Sequence, residues 1–347
     1  MKYLALILVV MLGFSCSDDK KDVKQSLPFT SVKIETIYED SISIRAIEII
    51  DKSLAYAGNN GVFGNIDINS GKIMESVQKY DTILPEFRAV AHTSSDFFML
   101  SVANPALLYK TGDDGKMELV YTEADEAVFY DAMTFWNDKE GIAMGDSLDG
   151  CLSIIITMDG GNTWNKIPCS DLPDGIDGEG AFAASNTNIA VAGDKTWIAT
   201  TSSRIYFSAD KGKTWEIQET PIVKDEPTQG IYSIDFFDEN LGVAIGGDYL
   251  KPEANTANKA VTEDGGKTWQ LIADGQNPQY KSCIQFVPNS KGNGLVALGF
   301  TGISYSGDRG ATWQPLSDDT SFFTLRFLND SVAYAAGKNR IARLVFK

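Results

Sequence analysis

Two arginines, four carboxylates, a tyrosine and a lysine occupy comparable places beside short apolar runs of this sequence. They are Arg45, Arg88, Asp131, Asp146, Glu179, Tyr232, Asp248 and Lys281. Two guanidinium groups can clamp a carboxylate or a phosphate, because each presents a planar fork of hydrogen-bond donors. Alternatively, Arg45 and Arg88 pair with Asp131 and Glu179 and neutralise a solvated channel. Both interpretations require that residues far apart in the chain meet at one opening.

The elements that position these residues are indicated by an internal repeat. One octet occurs four times, as TMDGGNTW (157–164), SADKGKTW (208–215), TEDGGKTW (262–269) and SGDRGATW (306–313). A degenerate copy, TGDDGKME, covers 111–118, and DINSGK (67–72) is a related turn. The aligned aspartates recur every 44 to 54 residues. A period of this size indicates repeated supersecondary units that pack against their neighbours.

The octets themselves are interpreted as structural turns. An aspartate can accept hydrogen bonds from turn N–H groups, glycine tolerates a positive φ, and tryptophan packs between sheets. Four copies of a catalytic carboxylate would need four pockets. We therefore assign a structural role to the Asp and Trp positions of the octets, which are Asp159, Trp164, Asp210, Trp215, Asp264, Trp269, Asp308 and Trp313.

Each unit contains short β-rich runs that are separated by turn residues, with no long helical periodicity. In the third unit they are YDAMTFW (130–136), GIAMG (141–145), CLSIIIT (151–157) and WNKIP (164–168). Four strands per unit are typical of a propeller blade. Segments rich in Ala and Gly are interpreted as second strands, namely LAYAG (54–58), IAVAG (189–193), GVAIG (242–246) and VAYAAG (332–337).

The sequence therefore predicts an all-β, seven-bladed β-propeller over residues 30–347. The C-terminal stretch 321–347 provides three strands of one blade and residues 30–39 provide its fourth, so that no sheet edge is left open. The eight residues named at the outset then lie at the mouth, the end opposite the octets. Long loops after the second strands of blades three to five, GDSLDG, GDKTWIATTSSR and GGDYLKPEANTANKA, are expected to wall one side of it.

The octets resemble Asp-boxes, the BNR repeats of sialidase-type propellers. From about residue 30 to its end the chain is similar to the propeller family of photosystem II assembly factors and its bacterial branch. The stretches that carry this resemblance are FYDAMTFWNDKEGIAMGDSLDG (129–150), GEGAFAAS (178–185), GVAIGGDYLKP (242–252) and GKNRIARL (337–344). The resemblance implies a binding, assembly or recognition module. Members are often labelled oxidoreductase or glycosyl hydrolase, and no residue here supports the first label.

A glycan-active enzyme is the alternative. Sialidases hold the sugar carboxylate with arginines, use a Tyr–Glu pair as nucleophile and an Asp as acid/base, and Arg45, Arg88, Asp131, Glu179 and Tyr232 are residues of these types. The Tyr/Phe-Arg-Ile-Pro motif of that family is absent, because the corresponding segments are SIRAI and EFRAV. The sequence thus leaves open whether the chain is an enzyme.

Composition narrows the classes of partner and site that remain. Acidic residues outnumber basic ones, 47 to 30, for a formal charge of -17, which disfavours a nucleic-acid partner. His92 is the only histidine, so neither a histidine-rich metal site nor a Ser-His-Asp triad is expected, and we predict no cofactor. Cys151 and Cys169 flank the third-unit hairpin and either form a disulfide or remain two thiols. Cys283 is expected to be a buried small residue.

The N-terminus predicts export. Residues 1–15, MKYLALILVVMLGFS, have the charge and short apolar run of a signal peptide, and GFSC resembles a bacterial lipobox with Cys16 as the lipidated residue. Residues 16–29 would be a flexible tether. We expect a monomeric lipoprotein of the outer membrane, on its periplasmic or cell-surface side, that touches the membrane only through its lipid. Its partner is expected to be a protein, or an anionic small molecule or glycan.

Overall fold

The computed structural model describes residues 28–347, which form strands, turns and two short 3-10 helices, Asn59–Gly61 and Cys169–Asp171. The signal peptide, Cys16 and most of the expected tether lie outside these residues. The strands up to residue 123 are β1 (Val32–Ile50), β2 (Ser53–Gly58), β3 (Val62–Asp67), β4 (Ile73–Val77), β5 (Phe87–His92), β6 (Phe97–Ser101), β7 (Ala106–Thr111) and β8 (Met117–Glu123). The next eight are β9 (Tyr130–Phe135), β10 (Gly141–Leu148), β11 (Cys151–Thr157), β12 (Asn165–Lys166), β13 (Ile189–Ala192), β14 (Lys195–Ala199), β15 (Arg204–Ser208) and β16 (Glu216–Glu219). The last ten are β17 (Gln229–Phe236), β18 (Gly242–Asp248), β19 (Lys259–Thr262), β20 (Gln270–Leu271), β21 (Cys283–Phe286), β22 (Leu295–Gly299), β23 (Gly302–Ser306), β24 (Gln314–Ser317), β25 (Phe322–Phe327) and β26 (Val332–Phe346).

The prediction of an all-β fold is confirmed, but the prediction of seven blades is wrong. Hydrogen bonds join the strands into six sheets, five with four strands and one with six, in the order β25-β26-β1-β2-β3-β4. The two chain ends were expected to complete a blade of their own. Instead β1 runs without interruption from β26 to β2, so the terminal strands and the first repeat share one blade.

The long strand β1 bends within this six-stranded sheet. Its first half pairs antiparallel with β26, from Val32 opposite Phe346, and its second half pairs with β2. The rings of Tyr38 and Tyr56 lie 5.2 Å apart, and both hydroxyl groups donate to Glu75 Oε2. Tyr38 of the first half thus contacts β2 and β4, which belong to the side of the second half. This contact requires a sharp bend in β1, which coincides with the register shift between Glu39 and Ser43.

Apolar contacts between neighbouring sheets arrange the blades in a closed ring. The innermost strands touch in the order β1, β5, β9, β13, β17, β21, β25, and β25 returns to β1. The six-stranded sheet contributes two of them, β25 and β1, and each other sheet contributes one. The spaces between sheets are filled by buried aromatic and aliphatic side chains, as where Phe98, Phe135 and Trp164 pack together. At the N-terminal side Phe29, the last residue of the expected tether, is buried against Tyr305 and Phe346.

The fourth repeat differs from its prediction in strand order. IAVAG (189–193) was expected to be a second strand, but β13 is the first strand of its sheet and β14 is the second. The reason is a two-residue turn: Ala192 pairs with Lys195 across Gly193 and Asp194, and Gly193 has a φ of 59°. The middle of the long loop expected between residues 193 and 204 is therefore strand β14.

The chain before β13 occupies the centre of the ring. This central segment, residues 180–188, forms no strand, yet it is hydrogen-bonded to innermost strands on several sides. The Asn186 side chain donates to Val90 O and accepts from Met133 N, while Thr324 Oγ1 donates to Ser185 O and Ile234 N donates to Thr187 O. Only a segment close to the axis can reach β5, β9, β17 and β25 together. The expected solvated channel is therefore filled at this level by protein.

The four octet turns share one geometry. In each, the hydroxyl of the Ser or Thr at the first position donates to the Asp carboxylate, and the later Thr donates through both its N–H and its hydroxyl, at 2.6 to 2.9 Å. Each Asp thus binds donors of its own turn. The four tryptophans pack into the apolar layers between sheets.

Cys151 and Cys169 are joined by a disulfide, with Cα atoms 5.6 Å apart, whereas Cys283 is a buried free thiol. The bond ties the start of β11 to the short helix Cys169–Asp171, so it fixes the beginning of the loop that leads into the central segment.

Candidate functional site

A cavity of about 410 Å³ opens at the end of the ring where the innermost strands begin. We call it the mouth cavity. Four of the eight residues singled out in the sequence line it, namely Arg45, Arg88, Asp146 and Tyr232. Its floor is the central segment, through Ala181, Phe182, Ala183 and Ala184. The topology therefore brings charged groups from separate strands to one opening.

A larger cleft, of about 1290 Å³, lies between the sheets of β2–β4 and of β6–β8. It is lined by exposed or partly exposed side chains such as Met74, Glu75 and Lys116, and by none of the eight candidate residues. We favour the mouth cavity as the functional site, because two cationic side chains and an aromatic wall converge there.

Arg45 lies in the mouth cavity without a carboxylate partner among residues 28–347. Its guanidinium carbon is 4.3 Å from the centre of the Phe323 ring, and Nη1 donates to Ala184 O at 3.5 Å. Burial, together with the nearby positive charge of Arg88, lowers the pKa of Arg45 to about 10. The group remains protonated at neutral pH, and a bound anion would offset both effects.

Arg88 is anchored at the rim of the cavity. Its Nε and Nη2 atoms both donate to Glu86 Oε1, at 2.8 and 2.6 Å, and this ion pair is partly exposed to solvent. The pairing of Arg45 and Arg88 with Asp131 and Glu179, the second interpretation of the sequence, is not formed. Arg88 therefore keeps Nη1 without a protein acceptor in the described chain.

Asp131 and Asp146 form a carboxyl pair beside the cavity. Asp146 lines it, and Asp146 Oδ1 accepts a hydrogen bond from Ala181 N at 3.0 Å. Asp131 lies behind it, fully buried, and no donor within the described residues reaches either of its oxygens. Burial and the adjacent Asp146 carboxylate raise the pKa of Asp131 well above its usual value. Asp131 is thus the member of the pair that holds a proton.

Glu179 is placed away from the cavity, in a buried cluster. It forms an ion pair with Arg204, and it accepts hydrogen bonds from Thr200 Oγ1 at 2.7 Å and Tyr206 Oη at 3.1 Å. Burial would raise the pKa of Glu179, but the hydrogen bonds from Arg204 and Thr200 outweigh it and lower the pKa. Glu179 therefore secures the loop before the central segment rather than facing a ligand.

Tyr232 lines the cavity, but its hydroxyl group is engaged elsewhere. It donates to Thr228 O at 2.8 Å, and its ring stacks on Phe182 with centroids 3.7 Å apart. Neither contact involves Glu179. The Tyr–Glu nucleophile that the sialidase-like alternative requires is therefore not assembled.

Asp248 and Lys281 lie near the mouth without lining the cavity. Asp248 accepts from Thr228 Oγ1 and Leu250 N, so it caps the loop after β18. Lys281 donates to Thr301 O, Thr301 Oγ1 and Gly302 O, which closes the turn between β22 and β23. Burial lowers the pKa of Lys281 to about 7, while these three acceptors favour its charged form.

Sequence reasoning missed the aromatic wall of the mouth cavity. Besides Tyr232, the wall consists of Phe129, Phe182, Tyr249, Tyr280 and Phe300. Ring contacts continue from Tyr232 to Tyr280 at 4.7 Å, on to Phe300 at 5.4 Å, and then to Phe323, which lies under Arg45. All rings of this wall except Phe300 lie within three residues of a residue already singled out, so the sequence neighbours of the candidates carried the signal.

Residues 28–347 offer neither a metal centre nor a membrane-spanning helix. No group of three or more His, Cys, Asp or Glu side chains there could hold a metal ion. Neither helix of this part of the chain is long and apolar enough to cross a membrane.

Comparison with known proteins identifies the architecture. No protein-family model and no curated protein sequence matches the chain. Among solved structures, YCF48 bound to D1 peptide matches 93% of this chain and 99% of its own, with a TM-score of 0.66 and 12% identity. The WD40 β-propeller domain of Doa1 matches 91% of this chain and 97% of its own, with a TM-score of 0.61 and 9% identity. The WD40 repeats of RRP9 match 93% of this chain and 99% of their own, with a TM-score of 0.61 and 11% identity.

The chain is a β-propeller. At these identities the likeness concerns the fold alone, and it supports the resemblance to the photosystem II assembly factor propellers at that level. A propeller positions a site by bringing the ends of many strands to one opening, so its ligand is determined by the side chains at the mouth and not by the fold.

Proposed function

We propose that this propeller is a binding module for assembly or recognition, and that it captures a carboxylate-bearing segment of a partner protein in the mouth cavity. The observation that carries the proposal is the Arg45 guanidinium, which lies in an aromatic-lined cavity with no carboxylate of the described chain bound to it. Arg88 lines the same cavity and its charge lowers the pKa of Arg45, so one anion in the cavity can interact with both positive charges.

The shape and lining of the cavity support a chain terminus as the occupant. About 410 Å³ accommodates one or two residues, and six aromatic rings offer apolar surface beside the arginines. The exposed Leu250, Tyr249 and Ile176 lie in the loops around it, where a longer segment would continue. YCF48, a propeller of similar fold, has been solved with a bound peptide, which makes a protein segment the first ligand to test.

The test is the capture of peptides with a free C-terminus. A library of peptides attached through their N-termini should bind the full-length protein, and the same library with amidated C-termini should not. Arg45→Gln with Arg88→Gln should weaken binding about 10- to 100-fold, the range expected for losing charge-assisted hydrogen bonds of about 1.5–3 kcal/mol. Arg309→Gln is the control, because it removes the same charge from an octet turn, where Arg309 pairs with Glu263. This variant should leave peptide capture unchanged. Equal capture of acid and amide peptides would refute the proposal.

We also propose that the protein is exported and anchored in the outer membrane through a lipid on Cys16. The support is the sequence of residues 1–16, with its short apolar run followed by GFSC. Wild-type protein should fractionate with membranes and incorporate labelled palmitate, and Cys16→Ala should do neither. Cys283→Ala is the control, because that thiol is buried in the propeller. Membrane association that persists in Cys16→Ala would exclude the lipid as the anchor.

A further inference from the structure

The mouth cavity contains an unpaired acceptor opposite its arginines. Asp146 Oδ1 is bound by Ala181 N, but no donor of residues 28–347 reaches Asp146 Oδ2. Asp146 lines the cavity and is only partly buried, so its carboxylate is accessible to a ligand there. The cavity therefore presents cations from β1 and β5 and one carboxylate from β10.

The buried Asp131 sets the charge of this acceptor. Two carboxyl groups in contact do not both ionise, and the fully buried member keeps the proton. Asp131 can then donate that proton to Asp146 in a hydrogen bond, because its oxygens have no other partner in the described chain. Burial raises the pKa of Asp146 as well, but hydrogen bonds from Ala181 N and Asp131 oppose that effect. Asp146 is then the anion of the pair, and it keeps lone pairs for a ligand.

A ligand that is only anionic does not suit this cavity. Its carboxylate would share a space of about 410 Å³ with the Asp146 carboxylate, and like charges in a partly desolvated site repel strongly. A cationic nitrogen on the same ligand removes this conflict. Aromatic side chains that line the same cavity, such as Tyr249, can also attract a cation.

Resting on the proposed function, we infer that the ligand carries a cationic nitrogen as well as a carboxylate. The carboxylate binds between Arg45 and Arg88, and the nitrogen donates to Asp146 Oδ2. This chemistry occurs in a free α-amino acid and in a chain that ends in lysine, so the ligand is a zwitterionic terminus rather than a simple acid.

Two matched pairs of probes test the inference by titration calorimetry with the full-length protein. L-Phenylalanine and 3-phenylpropionate differ only in the ammonium group, and they report on a free amino acid. An acetylated tripeptide ending in lysine and its counterpart ending in norleucine differ only in the side-chain charge, and they report on a chain terminus. In at least one pair, the charged-nitrogen probe should bind ten times more tightly or better.

Variants assign that preference to Asp146. Asp146→Asn should abolish the tenfold difference and leave the affinity for the matched acid equal or higher, since the repelling charge is gone. Asp177→Asn removes a charge from an exposed residue next to Gly178, which lines the cavity, and should leave the preference intact. Circular dichroism and melting temperature establish that each variant is folded.

The outcomes separate this inference from the proposed function. If both members of each pair bind equally, or if Asp146→Asn keeps the preference, the cationic subsite is refuted while Arg45-dependent binding of the acids would still support a carboxylate site. If no probe binds at 10 mM, this inference fails, and capture of the C-terminal peptide library decides the proposed function independently.

Discussion

Replacement of Asn186 by alanine is expected to lower the free energy of unfolding by about 3–5 kcal/mol. Asn186 Nδ2 donates to Val90 O at 2.7 Å, and Met133 N donates to Asn186 Oδ1 at 2.9 Å, all within the buried centre of the ring. Truncation leaves a buried carbonyl and a buried N–H unpaired, at about 1–3 kcal/mol each. Alanine must also adopt the φ of 57° at this position, which costs about 1 kcal/mol.

Asn60→Ala is the matched control for the cost of placing alanine at a positive φ. Asn60 has a φ of 59°, is exposed in the turn after β2, and makes no side-chain hydrogen bond within the described part of the chain. Urea unfolding of the full-length protein should therefore show a loss of about 1 kcal/mol for Asn60→Ala. Equal losses in the two variants would mean that the central segment does not hold the innermost strands together. We also expect Asn186→Ala to weaken peptide capture, because the central segment forms the floor of the mouth cavity.

The strands were predictable where local signals agree. In the third repeat the runs at 130–136, 141–145 and 151–157 correspond to β9, β10 and β11, because alternating apolar residues lie between clear turn residues. The fourth run, at 164–168, is shortened to the two residues of β12. Outer strands are exposed on one side, so less of their pairing is dictated by burial.

The number of blades was predicted wrongly for a reason that the sequence does not show. Residues 30–39 were assigned to the last blade, separate from the first repeat, and the polar residues 39–41 at the end of that segment have the composition of a turn. In the structure the strand crosses that stretch with a register shift and joins both groups of strands. Whether polar residues end a strand or only bend it depends on the partner strands, and one of these, β26, lies about 300 residues away in sequence.

The central segment was the least predictable element. GEGAFAAS has small and apolar residues like those of an inner strand, and it was placed at the start of one. Its residues instead exchange hydrogen bonds with strands from other repeats, as Ser185 does with Ser282 O at 2.6 Å and with Thr324 Oγ1 at 2.9 Å. No local pattern encodes such partners. The same dependence explains why Glu179 was expected at the mouth but lies with Arg204.

The candidate site was predictable in location and not in pairing. Topology alone placed Arg45, Arg88, Asp146 and Tyr232 at one opening, where they line the same cavity. The partners of each were decided by side-chain contacts, such as that of Arg88 with Glu86, only two residues away. Asp131 was likewise predicted near the mouth. Its complete burial depends on the neighbours of β9, which pairs with β10 and contacts the central segment.

Asp131→Asn is expected to stabilise the protein at neutral pH by about 1–3 kcal/mol, because asparagine is neutral without the proton that the folded wild-type protein must hold on Asp131. Burial and the Asp146 carboxylate raise the pKa of Asp131 in the folded state, so the folded protein keeps a proton that the unfolded chain releases above about pH 4. Stability from this group is therefore complete at low pH and falls as the pH rises through the unfolded and then the folded pKa. Asparagine mimics the protonated acid and can still donate to Asp146.

Asp210→Asn is expected to have the opposite effect on the stability of the protein. Burial would raise the pKa of Asp210, but hydrogen bonds from Thr214 and Ser208 outweigh it and lower the pKa, so its stabilisation is present above pH 4 and is lost as the pH falls. The amide should destabilise at pH 7, because Thr214 Oγ1 and Thr214 N need the two carboxylate oxygens. Urea midpoints at pH 4 and pH 7 compare the variants with wild type. A loss of stability at pH 7 in Asp131→Asn would show that Asp131 is ionised, and Asp146 would then no longer be the single anion of the mouth cavity.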